Sequence, residues 1–198
     1  MLLEIIIARY KEDVAWAAEI GLPTLIYNKG PEPMDGAIAL PNVGREAHTY
    51  LHHIIDRYDH LADCTLFLQG NPFAHGQHLG ARLDSMPLGG FSWLTDFTLF
   101  CDEFGMPSHG VHIPVGEMYN KLFHWPRKRF IFGAGALFAA GRELVHSRPR
   151  RWWEDLLKMC DNEYADTYPW VLERLWIYLF CERNVAEIRQ AEIQAKAA

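Results

Sequence analysis

The sequence predicts a single-domain α/β protein with a mostly parallel central sheet flanked by helices, and three observations carry that prediction. Strand-like and helix-like segments alternate through the first third of the chain. One helix shows about four turns of apolar periodicity, the clearest in the protein. With 198 residues, 49% of them apolar, and a net charge of −6, the chain is long enough to bury one sizeable core.

Taken in order, Leu2 to Ala8 is a continuous apolar run suited to a buried strand, and Asp13 to Ile20 is a short helix stopped by Gly21 and Pro23. Thr24 to Tyr27 forms a second strand that leads into the loop Asn28-Lys29-Gly30-Pro31, and a weak third strand lies at Ala37 to Leu40. Ala47, Tyr50, Leu51, Ile54, Ile55, Tyr58 and Leu61 then recur at helical spacing, so one face of this helix packs on the sheet. Cys64 to Leu68 supplies the next strand, which runs into Gln69-Gly70-Asn71-Pro72.

From Phe73 to Arg129 the chain is broken by Pro87, Gly89-Gly90, Pro107, Gly110, Pro114 and Gly116. It also carries Phe91, Trp93, Phe97, Phe100, Phe123 and Trp125, which reads as ordered functional loops rather than a linker. Phe130 to Ala140 reads as one further buried strand region, and Arg150 to Cys160 and Tyr168 to Phe180 as helices. The domain is expected to span residues 1–181, with residues 182–198 a charged, alanine-rich helical extension.

Several classes are disfavoured. The cations of Arg127 to Arg129 and Arg148 to Arg151 are local in an acidic chain, so nucleic acid is not expected as a partner. The N-terminal apolar run lacks the basic flank and cleavage site of a signal peptide, and no segment has the length of a membrane span. Cys64, Cys101, Cys160 and Cys181 are scattered without a C-x-x-C pair, which predicts reduced, mostly buried thiols and a cytoplasmic protein.

The helix starting near Gly44 offers free backbone N–H groups and carries Arg45 in its first turn, a place for phosphate or carboxylate. Asn42 serves either that ligand or simply as the helix cap. Arg9-Tyr10-Lys11 and Asn28-Lys29-Gly30 also follow strands, so three cationic loops gather at one carboxyl edge, which suits an anionic ligand.

This arrangement resembles glycosyltransferases of the GT-A type, which begin with a strand and nucleotide-holding loop, show Asn-x-Gly at a helix start, and end a strand in a metal-holding Asp-x-Asp. Asn42-Val43-Gly44 stands in the second place and Gln69-Gly70-Asn71 in the third. Gly133-Ala134-Gly135-Ala136 through Leu144 resembles the acceptor-side strand and turn, and Glu173-Arg174-Leu175-Trp176 a late glutamate-bearing helix motif. The resemblance implies a GT-A-like, Rossmann-like nucleotide-sugar transferase architecture, with sugar passing from a nucleotide-activated donor to a carbohydrate or other hydroxyl acceptor. Arg9, Asn28, Lys29, Asn42, Gly44, Arg45, Gln69 and Asn71 would hold the donor. Glu173, or else Glu46, would be the general base; each also has a structural reading, Glu173 as an exposed helix salt bridge and Glu46 as a first-turn carboxylate favoured by the helix dipole. Amides are poor ligands for a hard divalent cation, so the transferase would work without a metal on this motif and need no cofactor beyond its donor. A closer resemblance is to a large uncharacterised family with blocks like Ala8 to Asp13, Tyr27 to Gly30, Asn42 to Glu46 and Phe67 to Pro72; it covers most of residues 1–181 and implies no reaction.

Two other readings stand beside this one. The cleft could be a non-catalytic carbohydrate- or nucleotide-binding module, or the ten histidines could serve a metal-dependent hydrolase. His48 and His52 share a helix face with Asp56 following, and His75 with His78 and His109 with His112 form further pairs. The helix pair lies opposite the apolar stripe and reads as solvated; the loop pair at His75 lies nearer the expected site. There is no Gly-x-Ser-x-Gly elbow, Walker loop or Gly-x-Gly-x-x-Gly. The tryptophans at 152, 153, 170 and 176 serve either core packing, as expected of Trp176, or sugar stacking.

Overall fold

The structure is a computed structural model that describes residues 2–107, 110, 112–160 and 167–182. Its core is a six-stranded sheet. Strand β1 (Leu3–Arg9) is central, with β2 (Thr24–Asn28) and β3 (Ile38–Ala39) parallel on one side. On the other side β4 (Cys64–Gln69) is parallel to β1, and β8 (Phe138–Gly141) and β5 (Phe91–Trp93) complete the order 3-2-1-4-8-5, with β8 antiparallel to both neighbours. A separate two-stranded sheet pairs β6 (Thr98–Asp102) with β7 (Arg129–Gly133).

Side chains alternate across the central sheet as a period of two requires. Ile6 of β1, Phe67 of β4 and Phe138 of β8 enter one large core, packed by α2 (Arg45–Asp56), α5 (Arg142–His146), α6 (Arg150–Cys160) and α7 (Tyr168–Cys181). Ile5, Ile7, Leu66 and Leu68 enter a smaller core covered by α1 (Trp16–Ile20) and α3 (Leu79–Ser85). Helices on both faces of a mostly parallel sheet are what near-continuous apolar strands demand. The first core is strongly aromatic: Phe138 lies 4.9 Å from Phe67, 5.4 Å from Phe91 and 5.1 Å from Trp176, ring centre to ring centre. Trp153 and Trp176 are fully buried there.

Most elements fall where the periodicity puts them, with three corrections. The apolar run from Phe130 to Ala140 is two strands, because Gly135 (φ 77°) and Ala136 (φ 50°) turn the chain between β7 and β8. The loop-rich middle contains α3 and also α4 (Val115–Phe123), whose Val115, Met118, Tyr119 and Phe123 are buried at helical spacing. The histidines of α2 are not solvated: His48 and His53 are buried, and His52 is half-buried with its Nδ1 3.0 Å from Asp56. Among the described thiols Cys64 and Cys101 are buried but Cys181 is exposed. The expected extension at 183–198 lies outside the described residues, as does His109. No helix among the described residues is long and apolar enough to cross a membrane.

Under α2 runs a buried polar chain. His53 lies 3.1 Å from the Tyr27 hydroxyl and 3.3 Å from Glu4 Oε1, which also accepts from Thr65 Oγ1 and the Ala62 N–H. Burial pushes the Glu4 carboxyl up, but His53 and the other donors outweigh it and hold Glu4 below its ordinary value. A depressed carboxyl stabilises the fold above its unfolded value of 4.5 and loses that contribution as pH falls through the lower folded value. Glu4→Gln is therefore expected to cost about 1–2 kcal/mol at neutral pH. Urea unfolding at a series of pH values should show the gap to the parent closing below 4.5; a gap constant with pH would refute the assignment.

Candidate functional site

Strands β2 and β3 lie on one side of β1 and β4 on the other, so the sheet order reverses between β1 and β4. Open α/β sheets bind ligands outside the carboxyl ends of strands at such a reversal. Register brings the ends level: Arg9 sits opposite Asn28, and Ala8 opposite Gln69. A cleft of about 440 Å³ opens there.

Its walls come from three loops and one helix start. Arg9 ends β1 and Tyr10 and Glu12 follow it, Lys29 follows β2, Asn42 precedes α2 and Arg45 and Glu46 open it, and Gln69 ends β4 with Asn71 and Ala74 beyond it. The loops are tied to each other. The Arg9 guanidinium donates to Asn28 Oδ1 at 2.7 Å and to the Glu12 carbonyl at 3.0 Å, and the Lys29 N–H donates to the Arg9 carbonyl. Asn28 therefore works behind the cleft wall, also accepting from the Gly30 N–H and donating to the Glu32 carbonyl. Gly30 is confined by close approach: a Cβ there would lie 1.8 Å from the Tyr10 carbonyl oxygen.

The start of α2 departs from a capped helix. Asn42 makes no cap; Gly44 takes that place in a left-handed conformation (φ 61°) without a side-chain cap bond, and Arg45 is left-handed too (φ 47°). A left-handed arginine is strained. The buried Lys29 ammonium secures it by donating to the carbonyls of Val43 and Arg45. Lys29 thus lines the cleft while its charge is directed into this turn. Arg45 presents its side chain openly, 55% exposed, with its guanidinium 4.6 Å over the Trp170 ring and its Nε 3.6 Å from Glu46. Trp170 carries this cation on its face.

The two singled-out glutamates differ in placement. Glu46 lines the cleft with its side chain nine-tenths buried. Burial raises its carboxyl and nearby Glu173 adds to that, against the pull of its own N–H, Arg45 and Lys29. Glu173 is not an exposed helix residue: it is buried, accepting from the Gly135 N–H at 2.7 Å and from Arg174 at 3.0 Å, and it is not among the cleft-lining residues. Gly135 in turn admits the His75 ring, since a Cβ there would lie 2.4 Å from His75 Cδ2. His78 pairs instead with Asp96, Nδ1 to Oδ2 3.1 Å.

One charged cleft residue escaped the sequence reading. The Glu12 carboxylate accepts from the Tyr10 and Lys11 N–H groups at 2.7 and 3.0 Å and packs on Gly70, where a Cβ would meet it at 2.6 Å. The Gly between Gln69 and Asn71 was the available signal. Among the described residues no three His, Cys, Asp or Glu side chains come together as a metal site.

The fold and site together define a mixed α/β protein with a polar cleft at the carboxyl edge of its sheet. Residues 5–87 match the family described as "Protein of unknown function (DUF3431)", a stretch that runs from β1 through α3 and holds every residue lining the cleft. No curated protein and no solved structure matches the chain.

Proposed function

We propose that the chain is a glycosyltransferase-like protein of GT-A-like architecture that moves a sugar from a nucleotide-activated donor to an acceptor hydroxyl. The observation that carries this reading is the cleft itself: Arg9, Lys29, Asn42, Arg45, Gln69 and Asn71 line one cavity at a sheet reversal, with Glu46 among them. The donor diphosphate would lie against Arg45, the most exposed of the three cations, with amide donors from Asn42, Gln69 and Asn71. A second cavity of about 510 Å³ meets the cleft at Arg9 and Glu12 and is lined by Val14, Leu22, Ile26 and Met34, room for an apolar, planar group of the donor.

Glu46 rather than Glu173 is the base in this reading. Glu46 lines the cleft, and a raised carboxyl is better matched to taking a proton near neutral pH. In a single displacement the acceptor hydroxyl gives its proton to Glu46 as its oxygen bonds the sugar carbon, and the sugar–phosphate bond breaks with its electron pair leaving on the nucleoside diphosphate. Arg45 offsets the charge that develops there. Glu173 positions the Gly135 turn and Arg174 behind the wall.

The test is a thermal-shift panel of nucleoside diphosphates and nucleotide sugars, each with manganese and with chelator, since a ligand of the native state raises its midpoint. One nucleotide should stabilise the protein in chelator, and Arg45→Ala should abolish the shift. Glu46→Gln should keep the shift and lose at least about a hundredfold in transfer rate. Absence of a shift with every nucleotide overturns the proposal. A shift without transfer of sugar to any hydroxyl leaves a binding module.

A further inference from the structure

We infer that Trp170 is a positioning residue for the anion-binding part of the cleft: its ring holds the Arg45 guanidinium in the plane that receives the donor diphosphate, a role that rests on the proposed reading of the cleft. The cleft-lining residues all lie between Ala8 and Ala74, whereas Trp170 comes from the first turn of α7. A helix from the far end of the domain thus completes the site.

Two helix starts meet here. Tyr50 of α2 lies 5.8 Å from Trp176 of α7, ring centre to ring centre, so the two helices are held together in the aromatic core. That packing brings Arg45 and Trp170, in the first turns of the same helices, into contact, with the guanidinium 4.6 Å over the indole. Trp170 is itself anchored, its carbonyl accepting from the buried Arg174 guanidinium at 2.7 Å. The other groups around Arg45 act on different parts of it. Lys29 fixes its main chain through the carbonyls of Val43 and Arg45, and Glu46 stands 3.6 Å from Nε, along one edge. The face of the guanidinium belongs to the ring.

All five N–H donors of a guanidinium lie in its plane, so an aromatic ring on the face takes none of them. Among the described residues the Arg45 guanidinium makes no hydrogen bond to protein, and it stands at the cleft wall. A long side chain left loose there would lose its rotational freedom on meeting a ligand, which weakens binding. Stacking orders it beforehand and leaves an edge of the fork for two oxygens of a diphosphate at once. Trp170 also packs on the core, so the loss of its bulk has to be separated from the loss of its ring.

Calorimetric titration of the full chain with uridine, guanosine, adenosine and cytidine diphosphates, in chelator, makes that separation. Trp170→Leu and Trp170→Phe remove comparable bulk, and only phenylalanine keeps an aromatic face. The leucine variant should bind the diphosphate that the parent binds about three- to fivefold more weakly, and the phenylalanine variant within about twofold of the parent. Equal weakening by both assigns the effect to bulk and overturns the inference, as does parental affinity in both. Should either substitution prevent folding, Arg45→Lys leaves Trp170 in place: it keeps the charge without the planar fork and should bind at least about fivefold more weakly, whereas a lysine that binds as tightly as arginine overturns the inference. Failure of the cleft reading has a different signature, since no diphosphate then binds the parent at all and the role of Trp170 falls with it. Binding that Arg45→Ala abolishes and Trp170→Leu leaves untouched removes the role of Trp170 alone.

Discussion

Glu173→Ala is expected to destabilise the protein by about 3–5 kcal/mol in urea unfolding, the loss that follows when one member of a buried ion pair is removed and the other remains. Arg174 is fully buried, its guanidinium 4.6 Å over the Phe132 ring and donating to the Trp170 carbonyl at 2.7 Å and to Glu173 at 3.0 Å. Without Glu173 that charge stays in the core, and the Gly135 N–H, also buried, loses the oxygen it donates to at 2.7 Å. Glu173→Gln keeps the shape and an acceptor for Gly135 but not the charge, and should cost roughly half as much. Glu46→Gln should by contrast leave stability nearly unchanged. This difference separates the two carboxyl groups, because a fall in transfer caused by Glu173→Ala is then accounted for by folding. If Glu173→Ala unfolds at the parental urea midpoint, Glu173 is free for chemistry and the assignment of the base to Glu46 fails.

The gap between what the sequence showed and what it hid follows from the range of the interactions involved. Helix α6 was legible to its ends, Arg150 to Cys160, because amphipathic periodicity is a local signal. The cleft was legible for a related reason. Arg9, Lys29, Asn42, Arg45, Gln69 and Asn71 all end or follow strands, or precede or open a helix, and parallel strands place such residues at one edge whatever the rest of the chain does. What each side chain does there depends on partners far off in sequence. The charge of Lys29 is directed to carbonyls 14 and 16 residues away, and Glu173 to an N–H 38 residues away. His48 and His52 share one helix face in the sequence, yet His48 is buried while His52 is half-buried and pairs with Asp56. The split of Phe130 to Ala140 into β7 and β8 is similarly non-local: the two halves join different sheets, and only the partners β6, β4 and β5 distinguish them. Helix α4 was hidden by its small and polar residues, Gly116, Glu117 and Asn120, between apolar positions that need tertiary contacts to show their periodicity.

Gly30→Ala should be among the most damaging single changes in the chain, at about 3 kcal/mol or more. The atom that blocks a Cβ is the Tyr10 carbonyl oxygen, 1.8 Å from where it would stand, and a main-chain atom cannot rotate aside as a side chain can. Relief requires the loop after β1 to part from the loop after β2. That parting would strain the bond from the Lys29 N–H to the Arg9 carbonyl and the one from Arg9 to Asn28, and would draw the Lys29 ammonium from the carbonyls of Val43 and Arg45. The left-handed turn at Gly44 and Arg45 then loses what holds it, so the walls of the cleft move as one. Gly36 provides the comparison. It has a left-handed φ of 76° but nothing within 4 Å of a built Cβ, so Gly36→Ala should cost only the conformational penalty, about 1–2 kcal/mol. Urea unfolding of the two variants should rank them in that order, and only Gly30→Ala should also lose the nucleotide-induced rise in thermal midpoint. If both lose equal stability, the contact between the two loops does not hold the site together. If Gly30→Ala folds poorly but still binds nucleotide with parental affinity, the ligand does not lie against these loops.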